Sequence, residues 1–261
     1  MRGGIKDISL GLHRWQDWWT LSWFEVRGRY RRTYLGPWWI TLQQVVFVAG
    51  LSLLFGLLLG QDLKTYVPYV AIGFLCFSWM TGMIQQGAAS IIGGAAQIKT
   101  SPGPMSIFSL RVVAGSTIQF LHDLFVIVLV VVIFQVHLSA SLVLLPLAFV
   151  VIVVNGLALS LWLGPLVARY RDVGEIIDSL VRILFFFTPI FWTASDLDAT
   201  QRIALAGWNP LAYLLNFIRS PLIGEWPSQA TLIGCAVITA VNIAIALRYF
   251  SRKRTQVVYW L

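Results

Sequence analysis

Between Leu124 and Ala168 lie 45 consecutive residues without an Asp, Glu, Lys or Arg. A chain that folds in water carries about 25% charged residues, and a helix needs about 20 apolar residues to cross the hydrocarbon core of a bilayer. The run is too long for one buried helix and long enough for two crossings joined by a turn. Further uncharged stretches cover 38–61, 65–98, 112–121, 183–195 and 227–247. Only 11% of the 261 residues are charged, 58% are hydrophobic, and mean hydropathy is +0.77. The pattern predicts an all-α integral membrane protein with six spans, near 39–60, 66–87, 112–135, 141–165, 176–195 and 229–248.

Orientation follows from the Lys and Arg of the connections. The N-terminal segment, the 2–3 and 4–5 connections and the C-terminal tail carry 15 of them. The opposite side has only Lys64, Arg202 and Arg219, and Arg182 falls inside the fifth span. Both termini are expected in the cytoplasm. The net charge of +8 is mostly this asymmetry, reinforced by anionic lipid, and is not read as nucleic-acid binding. No apolar h-region with a small-residue cleavage site precedes Trp38, so no cleavable signal peptide is expected. Cys76 and Cys235 lie in separate spans and read as small buried hydrophobes rather than a disulfide or metal pair.

Leu12, Trp15, Trp19, Trp23, Val26 and Tyr30 recur at three- and four-residue steps. Residues 1–36 are therefore expected to hold an amphipathic helix along the cytoplasmic face of the membrane, its indoles at headgroup depth. It serves as an anchor or also docks a cytoplasmic partner; the residues leave both open. "RYRRTYLGPWW", 29–39, then places Arg29, Arg31 and Arg32 among phosphates, turns the chain at Gly36-Pro37, and anchors the first span with Trp38 and Trp39. Residues 37–261 form the six-span domain.

Between spans two and three, "QQGAASIIGGAAQIKTSPGPMSIFSLR" predicts a short helix and a sharp turn on the basic side. It is either a contact for a soluble partner or a plain connector. In "VARYRDVGEIIDSLVR", Asp178 and Arg182 stand four apart and are expected to pair. His122-Asp123 suggests a second buried pair; with no facing carboxylate at helical spacing, a proton relay is not supported. "LFFFTPIFW" ends span five with a Thr-Pro kink, and the following 195–228 segment is too long for a plain turn. Its apolar pieces of 10–14 residues are too short to span, and they predict a pair of half-helices dipping into the outer side, as a lid over a pore or a simple cap.

No GxxxxGK[ST] loop, HExxH or CxxC occurs, and His13, His122 and His137 are scattered over three segments. "GGAAQ" and "GLLLG" read as small-residue packing signals, and "AGST" has no plausible base beside it. No catalytic residue, metal site or bound cofactor is expected. The chain reads as a permease rather than an enzyme, and energy for active transport must come from a separate subunit.

Four segments, in order along nearly the whole chain, resemble the permease subunit of type-2 ABC polysaccharide exporters, the O-antigen, capsule and teichoic-acid export family. They are "RYRRTYLGPWW", "ARYRDVGEII", "FFFTPIFW" and "WNPLAYLLNFIRSPLIG". The resemblance implies a homodimer in the bacterial inner membrane, joined by two copies of an ABC ATPase that carries ATP-Mg. It implies one channel that feeds a lipid-linked polysaccharide such as O-antigen outward. By position, Gln97, Lys99, Ser101 and Pro102 would couple to ATPase motion, and Trp208, Asn209 and Pro210 would belong to an outer gate. Aromatic rings stack on the apolar face of a sugar, so Phe74, Phe77, Trp79, Phe185, Phe186, Phe187, Phe191 and Trp192 are candidate channel residues. Arg29, Arg31 and Arg32, beside Tyr34, are candidates for a lipid pyrophosphate at the cytoplasmic entrance, because guanidinium forks suit phosphate oxygens. The same architecture carrying teichoic acid, a drug or a small lipid is the alternative. A membrane-embedded transferase would need grouped acids, whereas Asp123, Asp178, Asp196 and Asp198 are isolated; a secondary transporter would show an inverted repeat.

Overall fold

The computed structural model describes residues 2–29, 33–36, 38–100, 103–193, 198 and 207–261, and every described element is helical. Two short helices come first, α1 (Arg2–His13) and α2 (Trp15–Arg29). The long ones are α3 (Trp38–Leu58), α4 (Leu63–Gly93), α6 (Ser106–Ile133), α7 (Leu145–Arg169) and α10 (Gln229–Lys253). Between them lie α5 (Ala95–Thr100), α8 (Asp172–Phe187) and α9 (Pro210–Leu222).

Among the described residues five segments are long and apolar enough to cross a membrane: Trp38–Leu58, Leu63–Thr100, Ser106–Ile133, Ala140–Arg169 and Gln229–Lys253. They coincide with five of the six expected spans. The fifth expected span, 176–195, corresponds to α8, whose 16 residues reach about 24 Å at 1.5 Å each. That is short of the roughly 30 Å hydrocarbon core. The helix ends at Thr188 (φ −94°, ψ 134°) because the ring of Pro189 excludes the α conformation from the residue before it.

α4 is the central post, packed against α3, α6, α7, α8 and α9. Its start is capped by Asp62, which accepts from Lys64 N at 3.2 Å. Close approach to α7 depends on small residues: a Cβ on Gly87 would sit 3.1 Å from Ser160 Cα, and one on Gly164 3.2 Å from Gly87 O. The expected packing role of the Gly93-Gly94 and Gly56 neighbourhoods also appears, since a Cβ at Gly94 or Gly56 would collide with Phe108 or Leu63. α7 and α10 are joined by buried carboxamides. Asn155 Nδ2 donates to Thr239 Oγ1 at 2.8 Å, and Asn242 Nδ2 donates to Asn155 Oδ1 at 3.1 Å. Both cysteines are buried and unpaired, as expected; Cys235 Sγ donates to Tyr213 O.

The N-terminal segment departs from a single helix with one apolar face. It breaks at Arg14, and the buried side of α2 is Ser22 and Val26, set against α6. Ser22 Oγ donates to Arg111 O at 2.8 Å, and a Cβ on Gly115 would lie 4.0 Å from Val26 Cγ2, so the two helices run in step. Of the expected stripe, Leu12, Trp15, Trp19 and Trp23 are exposed; Tyr30 lies outside the described residues.

Candidate functional site

The break after α8 leaves backbone carbonyls without helical partners, and in a membrane protein such groups must find partners inside the protein. Three side chains supply them. Tyr66 Oη donates to Phe191 O. Tyr69 Oη donates to Pro189 O at 3.3 Å and to Trp192 O at 3.2 Å. Arg219, on α9, donates from Nη1 to Pro189 O at 2.6 Å and from Nη2 to Asn216 Oδ1 at 2.6 Å, while its guanidinium carbon lies 4.0 Å from the centroid of the Tyr69 ring. Arg219 is 5% exposed. Gly73 leaves room for this arrangement: a Cβ there would meet Arg219 Nη1 at 3.4 Å and Ile190 O at 3.5 Å. The sequence marks Arg219 only as an outer-side cation, and Tyr66 and Tyr69 carry no signal there beyond their aromaticity.

Asn209-Pro210 starts α9 as its local chemistry dictates, with Asn at the N-cap and Pro at the first helical position. Asn209 Oδ1 accepts from Leu211 N at 2.9 Å, and its Nδ2 donates to Thr188 Oγ1 at 2.8 Å. One buried carboxamide thus ties the start of α9 to the end of α8. Trp208, half exposed, approaches Phe187 with ring centroids 5.6 Å apart. α9 is a 13-residue helix within the expected 195–228 segment; the preceding 199–206 stretch lies outside the described residues.

The candidate aromatic residues divide into separate groups. Phe185 is a hub, with ring centroids 6.3 Å from Phe74, 5.8 Å from Phe77, 5.4 Å from Phe186 and 5.6 Å from Phe191. α3 extends this wall through Phe47, stacked on Phe74 at 4.4 Å, and Phe55, stacked on Phe191 at 4.7 Å. Sequence reasoning missed these two rings because apolar residues occur on every side of α3 and none marks the side that packs on α4. Phe186, 63% exposed, is the part of the wall most open to the surface. Trp192 Nε1 donates to Phe186 O at 3.0 Å. Trp79 stands apart, stacked on Phe120 at 4.1 Å and Phe149 at 5.0 Å on the other side of α4.

At the end bearing the N-terminal helices, Glu25 lies 3.5 Å from Arg29 and 3.6 Å from Arg111. Tyr34 is fully exposed. Arg31 and Arg32 lie outside the described residues, as do Ser101 and Pro102 of the expected coupling loop. Gln97 and Lys99 are exposed on α5, and Lys99 Nζ donates to Leu261 O at 2.7 Å. Together with Arg14, Asp17, Pro104, Phe108 and Val258, these two line a 370 Å³ cleft.

Two expected pairs do not form. Asp178 Oδ1 accepts from Gln85 Nε2 at 2.8 Å, while Arg182 donates to Ser179 Oγ at 3.1 Å. The α4 amide reaches Asp178 across the α4–α8 contact and replaces the intrahelical partner. Asp123 is buried, and its Oδ1 accepts no hydrogen bond from His122 or any other described residue.

Five helices long and apolar enough to cross a membrane, packed around α4, with a braced non-helical segment after α8, define a multi-pass membrane protein. The chain belongs to the ABC-2 type transporter family, whose match covers residues 16–223, and it is a type-2 ABC permease. It is similar to the O-antigen export system permease protein RfbA of Myxococcus xanthus, 22% identical over 234 residues that cover 89% of this chain and 90% of that protein.

Proposed function

We propose that this permease forms the channel of an ATP-driven exporter that moves a lipid-linked polysaccharide from the cytoplasm across the bacterial inner membrane. Two copies assemble with two ATPase subunits, which bind ATP-Mg, and the chain itself is not an enzyme. Both termini face the cytoplasm, so α5 and the segment leading into α6 lie where an ATPase docks, and α8, the break and α9 make up the sixth membrane element with the outer gate. The observation that carries the glycan reading is the connected wall of Phe47, Phe74, Phe77, Phe185, Phe186 and Phe191. Rings hold a sugar by its apolar face without a fixed ladder of hydrogen bonds, so a chain of sugars can slide past them. The similarity to an O-antigen export permease over nine-tenths of both chains supports the same substrate class.

The test is co-expression with a candidate ATPase, purification in detergent, and deletion of the gene in its host. A stable complex of two permeases and two ATPases, with surface glycan lost on deletion, is the expected result. A permease that purifies alone and a deletion strain with intact surface glycan would overturn the proposal.

A further inference from the structure

At the end of the bundle where α3 begins, a second feature lies between α3, α4 and α6. It is a 190 Å³ cleft whose polar lining includes Gln43, Gln44, Gln86, Gln119, Ser116 and Asp123. Four carboxamides and a carboxyl group on three membrane-spanning helices are expensive to keep among apolar side chains, and packing alone does not require them. Asp123 is 4% exposed, and its Oδ1 has no hydrogen-bond partner among the described residues. Trp79 Nε1 and Ser116 Oγ, also in the lining, are in the same condition. A buried polar atom left unmatched costs about 1–3 kcal/mol, so three in one lining call for an occupant that hydrogen-bonds.

The lining also defines the chemistry of that occupant. No described Lys, Arg or His lines the cleft, so its described lining offers no cation to a phosphate. Each carboxamide offers one acceptor and two N–H donors, the indole offers a donor, and Asp123 offers acceptors. This mixed set matches groups that both donate and accept, which is what hydroxyls do. The volume holds roughly six waters at about 30 Å³ each. The Trp79 ring is covered by Phe120 and Phe149, so this is an edge-on, hydrogen-bonding site, unlike the phenylalanine wall.

We infer that the α3–α4–α6 cleft is a binding subsite for a hydroxyl-rich sugar ring of the exported glycan, with Asp123 and Gln86 as its principal hydrogen-bonding groups. The inference rests on the glycan-export reading above. It assigns the permease two sugar contacts of different kinds. The polar cleft selects hydroxyl geometry near the end where α3 begins, and the aromatic wall lets the chain slide.

The test uses the full permease–ATPase complex in its host membrane, with the photo-crosslinking residue p-benzoylphenylalanine placed singly at Gln86, at Phe186 on the aromatic wall and at the exposed Leu147 on α7. Glycan adducts of the permease at both Gln86 and Phe186, and none at Leu147, are expected. Adducts at Phe186 alone would overturn the cleft assignment and leave the exporter reading standing. So would a permease–permease adduct at Gln86, which would mean that a second copy fills the cleft. Absence of adducts at both positions, together with surface glycan intact in the deletion strain, would overturn both readings. A second arm uses Gly82→Val, because Gly82 lines the cleft and a Cβ there meets only Gln86 Nε2, at 3.6 Å. With protein level and ATPase binding unchanged, Gly82→Val and Asp123→Asn should each lower export by about tenfold, the factor that corresponds to one hydrogen bond to a carboxyl group. Full export in both variants would overturn the assignment.

Discussion

Asp7 and Arg254, 247 positions apart in the chain, meet at 3.1 Å between Oδ2 and Nη1. The same carboxylate accepts from Ser106 N at 3.0 Å and Met105 N at 3.3 Å, and the Asp7 carbonyl accepts from Ser106 Oγ at 2.9 Å. Asp7 thus caps the start of α6 from outside and fastens α1, the start of α6 and the end of α10 at one point. A negative group at a helix N-terminus also faces the positive end of the helix dipole.

Asp7→Ala removes the cap and the ion pair, and leaves two backbone N–H groups unsatisfied. It should destabilise the detergent-solubilised permease by about 2–4 kcal/mol, seen as a lowered unfolding temperature. Arg254→Ala leaves both N–H bonds to Asp7 in place and loses only a partly exposed pair, about 0–1 kcal/mol. Equal effects of the two substitutions would show that the ion pair, not the cap, is the working contact.

Arg219→Lys tests the brace on the α8 break. Lysine keeps the positive charge but lacks the planar fork that bonds Pro189 O and Asn216 Oδ1 while lying over Tyr69. The variant should be made at normal level but show faster proteolysis near Pro189 and lose export. Tyr69→Phe, which keeps the ring and loses only the hydroxyl bonds, should show a smaller defect. Wild-type proteolysis and export in Arg219→Lys would refute the brace.

Asn209→Ala removes both the α9 cap and the bond to Thr188. The combined loss should be about 1.5–3 kcal/mol, measured by thermal unfolding followed by circular dichroism. Thr188→Ala removes the Asn209 contact and leaves the cap, about 0.5–1.5 kcal/mol. Because the two side chains share one bond, the double variant should fall short of the sum; strict additivity would mean the contact carries no coupling.

Two glycine substitutions should have opposite signs. Gly87→Ala pushes a methyl against Ser160, with Cβ at 2.9 Å and Cα at 3.1 Å, and forces α4 and α7 apart; overpacking of this kind costs about 1–3 kcal/mol. Gly28→Ala, near the end of α2, meets nothing within 4 Å and should gain about 0.5–1 kcal/mol of helix stability. Unfolding temperatures of the two single variants decide it.

Much of this molecule is legible in local chemistry. The uncharged runs predict five of the long helices, and the Thr188-Pro189 step marks where α8 stops, because proline restricts the residue before it wherever it occurs. Asn209-Pro210 announces the start of α9 by capping rules that act within three residues. The aromatic segment around Phe185 is likewise visible as composition, and the resemblance of four ordered motifs to a polysaccharide-export permease agrees with the ABC-2 family match.

Composition and local spacing therefore establish that the chain lies in a membrane, where its five long helices run, and where α8 must break. Tertiary structure alone decided which groups meet. Arg219 turns inward to brace the break, Asp178 takes Gln85 instead of Arg182, Asp7 reaches Arg254, and Trp79 separates from the other rings. The physical reason is that turns, caps and helical period are set by neighbours a few residues away. In a bilayer, by contrast, the face packed on another helix and the face toward lipid are equally apolar. Hydrophobic pattern then carries no record of orientation, and partners about 30 to 250 positions apart are chosen only when the helices pack.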